Sequence, residues 1–507
     1  MSGLEKIVGI GTLLLLVGAV PVWAEDVLIT NALIYDGGGG APFAGSVRVE
    51  AGRIAAVAPA LSARPGERTR NLGGLALAPG FVDMHSHADG AIFENPTADA
   101  AIRQGIATVF VGQDGESNYP LAAFFARLDK QPAALNVASM VGHATLRREA
   151  MKPNALRASA PAELVRMGAL VEQEMAAGAF GLSTGLEYPD SFSATTEEVV
   201  ALATVAARSG GFYISHMRDE GNAVFEALAE LVEIGSRAKL PVQASHIKLA
   251  TTPVWHQAAL RVPPVIESAR LQGVDLKADV YPYTFWQSTL RVIVPDRDYF
   301  NAAKVEKAIA DNGGPTHLRI VRYEPDAALA GKTLDEIARI WKVTPGAAFM
   351  RIVRETEPVG DRRPEEGVIG TSVSEDDLRW FIAAPWTMFC TDGELNGAHP
   401  RGAGSFARIL GKYVREEKVL PLAAAIYKMT ALPASRLKLT DRGRIAPGFH
   451  ADLVVFDPAR VADRATIEAP AAPPVGIEAV MVNGEWVVDG GQVTGKRPGR
   501  VLRRPGS

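Results

Sequence analysis

The sequence predicts an α/β protein: a (β/α)8 TIM-type barrel joined to a small β-sandwich that the N- and C-terminal segments build together. Three observations carry this expectation. Residues 79–442 alternate short apolar, β-branched runs with helix-length stretches rich in Ala, Leu, Glu and Arg, the rhythm of parallel strands and crossover helices. Residues 25–78 and 443–507 are instead all-β in character, with short alternating runs around tight turns. At 507 residues and 47% hydrophobic composition, the chain can bury one large core and a smaller one.

Taken in order, Met1–Ala24 reads as an export signal: Lys6, an apolar run from Ile7 to Val20, then Val22-Trp23-Ala24 before Glu25-Asp26. That run is short for a membrane span. The expectation is an exported, periplasmic protein that meets the membrane only through this signal. The sole cysteine, Cys390, permits no disulfide and offers no lipid-anchor site near the signal. A net charge of −4 supplies no basic footprint for nucleic acid or for an anionic membrane surface.

After the signal come Val27–Thr30, Ala32–Tyr35, Ser46–Glu50 and Ile54–Val57, short strands with a turn at Gly52. Eight barrel strands follow, at Phe81–His87, Ala107–Gly112, Asn136–Gly142, Ala179–Thr184, Gly211–His216, Pro241–Ile247, Val274–Tyr281 and Trp386–Thr391. Between them Pro161–Ala177, Thr195–Arg208 and Glu220–Arg237 carry helical spacing, several with Ser, Thr or Asp caps. The interval from Tyr281 to Trp386 is too long for one crossover, so about 290–370 reads as an insertion over the barrel mouth. The chain closes with Ala451–Phe456 and a hairpin, Val480–Val488, turning at Asn483-Gly484.

Enzyme sites in such barrels gather at the C-terminal ends of the strands. There the sequence places His85 and His87, Asp114, His143, His216, His246 and Asp392, so five of its nine histidines fall at strand ends. On a strand, His85 and His87 share a face about 7 Å apart. Imidazoles and carboxylates at this density point to zinc or another divalent ion with a position open to water. Water on such an ion becomes hydroxide near neutral pH and attacks an amide. His143 is balanced between a site role and a buried structural one, while Asp114 reads as a ligand, with a turn residue before Gly115 as its alternative.

Pro79-Gly-Phe-Val-Asp-Met-His-Ser-His87, Gly112-Gln-Asp-Gly115, Gly142-His143, Gly181-Leu-Ser-Thr-Gly185, Ser215-His-Met-Arg218, Ser245-His-Ile-Lys248, Asp279-Val-Tyr-Pro-Tyr283, Thr391-Asp-Gly393 and His399-Pro-Arg401 resemble the amidohydrolase superfamily. Within it they are most similar to the D-aminoacylase branch, the N-acyl-D-amino-acid deacylases. The resemblance runs along nearly all of the mature chain and implies the same barrel and β-sandwich, with metal-dependent hydrolysis of an N-acyl bond. It implies one or two zinc ions, a tight site at His216 and His246 and a second at His85 and His87. Asp114 stands where the family has a cysteine, which opens the metal's identity and the number of ions to question. Glu187 is a lesser carboxylate candidate. Asp392 is implied as general base and acid, with His143 helping at the oxyanion or at a ligand. Lys248, Tyr281, Ser288 and Arg401 match the family's grip on the substrate's free carboxylate, so the partner is a small anionic molecule, an N-acyl-D-amino acid or D-configured dipeptide.

Two alternatives are weighed against this. Cyclic-amide hydrolases of the superfamily bridge two metals with a carboxylated lysine at strand four, but residues 153–238 contain no lysine, so only a carboxylate bridge serves that reading. A non-catalytic periplasmic binding relative would retain the barrel without turnover, yet every general-base and histidine position is present.

Overall fold

The computed structural model describes residues 26–357 and 364–507. The export signal lies outside the described residues. Among those described, no helix is long and apolar enough to cross a membrane.

Eight parallel strands form the barrel: β1 (Phe81–Asp83), β2 (Ile106–Val111), β3 (Asn136–Ser139, continued by Val141–Gly142), β4 (Gly181–Gly185), β5 (Phe212–His216), β6 (Val242–Ala244), β7 (Leu276–Val280) and β8 (Thr387–Phe389). They pair in sequence order, and β7 pairs β8 across the insertion. The ring closes where the Asp392 N–H donates to His85 O at 2.8 Å and Ser86 bridges Gly393. Side-chain alternation then sorts the apolar residues. Phe110 points inward with Val82, Met84, Ala138, Met140, Phe180, Phe212, Ile214 and Met388, while Val109 and Val111 face the surrounding helices.

Crossover helices wrap this barrel. Pro161–Ala177 and Thr196–Arg208 are helical, and the Thr195 side chain caps the latter by accepting from the Glu198 N–H. The helix expected from Glu220 starts instead at Val224. Asp219 Oδ1 accepts from the N–H groups of Gly221 and Ala223, and this turn holds the preceding residues out of the helix.

The two ends of the chain share one nine-stranded sheet, joined where Ala76–Pro79 pairs antiparallel with Leu453–Phe456. Leu453 and Val455 pack with Val27, Ile29, Val47 and Met481 in the sandwich core. Their neighbours Val454 and Phe456 face the barrel core. Both faces of this strand are thus buried, which is why Ala451–Phe456 is an apolar run rather than a strict alternation. Beyond the hairpin the chain crosses under the barrel: the Val137 N–H donates to Arg500 O at 3.0 Å, and the Leu502 N–H donates to Val137 O at 2.8 Å. Leu502, with Leu432 and Leu437, completes the apolar cluster inside the barrel. Leu502→Ala is expected to cost about 2 kcal/mol of stability, read as a lower midpoint in thermal or urea unfolding.

Between β7 and β8, strands Phe285–Ser288, Leu318–Tyr323 and Glu366–Thr371 form a small antiparallel sheet with helices Ala302–Asp311, Leu334–Trp341 and Pro345–Glu355. Val305, Leu318, Phe349, Ile352 and Val368 give this unit its own core. Its first strand starts at Phe285, ahead of the expected Leu290.

Candidate active site

β1 ends at Asp83, so His85 and His87 lie beyond the strand, and their orientation does not come from a shared strand face. Asp83 explains the early end. Its carboxylate accepts from the Thr391 N–H at 2.8 Å, the Thr391 hydroxyl at 2.5 Å and the His85 N–H at 3.3 Å, so a side chain takes over the ladder's work. Burial pushes the Asp83 carboxyl up to about 7. Lys248 is likewise past its strand, since β6 stops at Ala244. Here Asp279 takes over, accepting from the His246 N–H at 2.7 Å.

Three residues in these turns have left-handed backbones: Asp114 at φ +55°, His246 at +32° and Asp392 at +48°. A non-glycine residue held there is strained, and such strain concentrates at functional sites. The turns are braced tightly. A Cβ on Gly185, at the end of β4, would lie 2.3 Å from the Asp114 carbonyl, so only glycine lets that turn approach.

The result is one cluster of ligand atoms. His85 Nε2 lies 3.3 Å from Asp114 Oδ1 and 3.6 Å from Asp392 Oδ1. His87 Nε2 lies 3.3 Å from both Asp114 Oδ2 and Asp392 Oδ1. His246 Nε2 is 3.4 Å from Asp114 Oδ1 and 3.2 Å from His216 Nδ1. His85, Asp114, His246 and Asp392 each offer an atom within a 4.8 Å group, and His216, Glu220 and His246 form a second group sharing His246. The set therefore suits one divalent ion or two.

Its electrostatics favour a cation. His85 Nε2 and Asp114 Oδ1 are buried without a hydrogen-bond partner, the state of ligand atoms facing an ion's position. Burial opposes protonation of His87, yet hydrogen bonds to Asp114 and Asp392 push the ring up to about 10. Burial raises Asp392 too, but the Arg401 charge and the His246 and His85 rings hold it far below the usual carboxylate range. Protons here thus stand in for positive charge that the carboxylates demand, and a divalent ion supplies the same charge.

Lys248, Tyr281, Ser288 and Arg401 line the same 1010 Å³ cavity as His87, Asp114, His216, His246 and Asp392. Lys248 Nζ donates to Glu220 Oε2 at 2.6 Å and lies 2.7 Å from His246 Nδ1. Arg401 Nη1 donates to Asp392 Oδ2, while Arg401 Nε and the Tyr281 hydroxyl are buried with no partner. Unmet buried donors beside a cavity are what a carboxylate would satisfy.

The ligand residues come from strand ends and the turns after strands spread around the whole barrel, and the model of the Amidohydrolase family matches residues 68–345 and 302–488. The chain belongs to the amidohydrolase family. It is 36% identical to the N-acyl-D-glutamate deacylase of Alcaligenes xylosoxydans xylosoxydans, over 95% of this chain and 97% of that protein. It is 34% identical to the D-aminoacylase of the same organism, over 94% and 98%. Among solved structures, the N-acyl-D-glutamate deacylase of Bordetella bronchiseptica, complexed with zinc and a phosphonate inhibitor, superposes with a TM-score of 0.83 at 34% identity, covering 95% of this chain and all 100% of that one. D-hydantoinase, at 14% identity and a TM-score of 0.58, shares the fold alone.

Not every expected residue of this amidohydrolase reaches the site. His143 is the first residue of the helix His143–Ala150; its Nδ1 lies 3.1 Å from Ser191 Oγ and its Nε2 2.9 Å from Glu198 Oε1. Both ring nitrogens are engaged and burial keeps the ring neutral, so His143 holds the β3–β4 region together and does not line the cavity. The expected catalytic role for His143 is therefore withdrawn. Glu187 does reach the cluster, its Oε2 2.7 Å from His216 Nε2.

Four residues enter that the sequence did not single out as site residues. Glu220 contacts Lys248 and His246, and its place four residues after His216 was the available signal. Tyr188 packs its ring 4.4 Å from that of His216. Asp279, inside the Asp-Val-Tyr-Pro-Tyr motif, orients His246. His399 accepts from the Arg401 N–H at 2.9 Å and pairs its other nitrogen with Phe285 O at 2.9 Å, so it positions Arg401.

Proposed function

We propose that this chain hydrolyses the amide bond of N-acyl-D-amino acids, or of D-configured dipeptides, with one or two zinc ions bound by His85, His87, Asp114, His216 and His246. The observation that carries the reading is the pairing, in one cavity, of that ligand cluster with the unmet cationic and hydroxyl donors of Arg401 and Tyr281. The relatives named above are deacylases of this kind, one of them complexed with zinc. When bound, zinc polarises the acyl oxygen and lowers the pKa of water.

The chain's own residues do the rest. Asp392, kept ionised by Arg401, takes the proton of the attacking water on its Oδ1 and returns it to the departing amine. Lys248, Tyr281, Ser288 and Arg401 hold the free carboxylate, which fixes the amide against the ligand cluster. Glu220 and Asp279 keep His246 and Lys248 in place from behind.

Full-length protein, assayed for bound zinc and for amine release from paired N-acetyl-D- and N-acetyl-L-amino acids, tests the reading. Zinc with release from the D series supports it; ligand binding without release overturns it in favour of a non-catalytic relative. Tyr281→Phe is expected to raise KM about tenfold with kcat little changed, because it removes one hydrogen bond to a charged group. An unchanged KM removes Tyr281 from the clamp. The Lys6–Ala24 pattern supports export to the periplasm, which cell fractionation checks.

A further inference from the structure

Resting on the zinc reading above, we infer that Arg297 is a positioning residue for the metal site: it fixes the turn after β4 that sets Glu187 against His216, so the zinc affinity of the chain depends on the insertion. Arg297 lies between the insertion's strand Phe285–Ser288 and its helix Ala302–Asp311, yet its side chain reaches back to the barrel. Its Nη2 donates to the Glu187 carbonyl, 110 residues earlier in the chain, and its Nη1 donates to the Tyr299 hydroxyl at 3.0 Å. The guanidinium carbon stands 4.0 Å from the centre of the Phe192 ring. Glu187 precedes the short helix Pro189–Phe192 and Phe192 ends it, so one side chain grips this segment at both ends. Arginine suits the task, because its planar head stacks on a ring while its edge donates in two directions. Arg297 is itself held at φ +61°, a left-handed backbone that a non-glycine residue keeps only at a cost.

The held carbonyl belongs to the peptide that joins two neighbours of His216. Glu187 Oε2 lies 2.7 Å from His216 Nε2, and the next residue, Tyr188, packs its ring 4.4 Å from that of His216. Glu187 therefore decides which nitrogen of His216 keeps its proton. With Nε2–H donated to the carboxylate, the lone pair of Nδ1 is left on the side of His246 Nε2, 3.2 Å away, where the ligand cluster gathers. A swing of the Glu187 peptide would release both the tautomer and the orientation of that ring. A second tie braces the same half of the cluster. Asp311, at the end of the helix Ala302–Asp311, accepts from Asn222 Nδ2 at 2.8 Å, and Asn222 stands two residues after Glu220. The insertion thus bears on the two turns that carry Glu187 and Glu220.

The test is the zinc affinity of the full-length protein, read by competition with a chelator of known strength, beside the visible spectrum of cobalt-loaded protein, which reports ligand geometry. Arg297→Asn suits the left-handed backbone and removes the reach to Glu187. It is expected to weaken zinc binding about tenfold and to shift the cobalt spectrum, as the loss of an outer partner of a ligand histidine does. Glu187→Ala is expected to lose at least as much, and the double variant less than the product of the two losses, since Arg297 acts through Glu187. The melting temperature of the zinc-free protein is expected to stay unchanged. If it falls, Arg297→Lys takes the place of the asparagine variant; it keeps the charge but cannot stack and donate twice, and about a threefold loss is expected. Zinc affinity that stays at the unmodified level, or losses that multiply in the double variant, overturns the inference while leaving the metal reading intact. Unmodified protein that binds no zinc overturns the metal reading, and the inference with it.

Discussion

Asp392→Asn is expected to lower kcat by about a thousandfold with bound zinc retained. The amide preserves the shape of the side chain and its contact with Arg401, but it has no oxygen basic enough to take a proton from water. Asp392 Oδ1 sits 3.6 Å from His85 and 3.3 Å from His87, close enough to the ligands that metal content must be measured beside the rate. If zinc stays and kcat falls less than tenfold, proton transfer belongs to another group. If zinc is lost as well, Asp392 is a ligand first, and its role as base has to be rebuilt from the residual rate of metal-saturated enzyme.

The second large effect is expected at Asp114, which stands where the family resemblance places a cysteine. Asp114→Asn should weaken zinc affinity about a hundredfold, near the share of one ligand in a zinc site's binding energy. Asparagine is the informative replacement because it tolerates the left-handed backbone that Asp114 adopts at φ +55°, whereas alanine adds strain that blurs the result. Zinc titration against a chelator of known affinity reads the change directly. Unaltered affinity would make Asp114 a turn residue before Gly115, the alternative that the sequence left open.

Much of this molecule is legible from the order of residues, and the failures share a cause. The barrel's rhythm is visible because strands are apolar runs bounded by glycine and polar residues, as at Ile106–Val111 and Phe212–His216. Strand ends are less visible. Phe81–His87 reads as one strand, yet Asp83 turns its carboxylate on the backbone and ends the ladder, a competition that no periodicity records. His143 follows a strand and a glycine just as a site residue would; only the distant Glu198, at hydrogen-bond distance, shows that it belongs to the core. Glu220 is hidden for the opposite reason. In Arg-Asp-Glu-Gly it looks like a solvated loop acid, and its burial against Lys248 and His246 depends on residues that lie later in the chain.

The pairing of Ala76–Pro79 with Leu453–Phe456 bears on how the protein is made. Ala76–Pro79 must wait for Leu453–Phe456, made more than 370 residues later, before their sheet is complete, and Leu502 joins its cluster later still. Contacts between such distant parts of a chain form slowly, because the intervening loop must close before they return any stability. During that interval the apolar faces of Val27, Ile29 and Val47 lack the cover that Leu453, Val455 and Met481 later give them, so a chain cut before Leu453 is expected to aggregate.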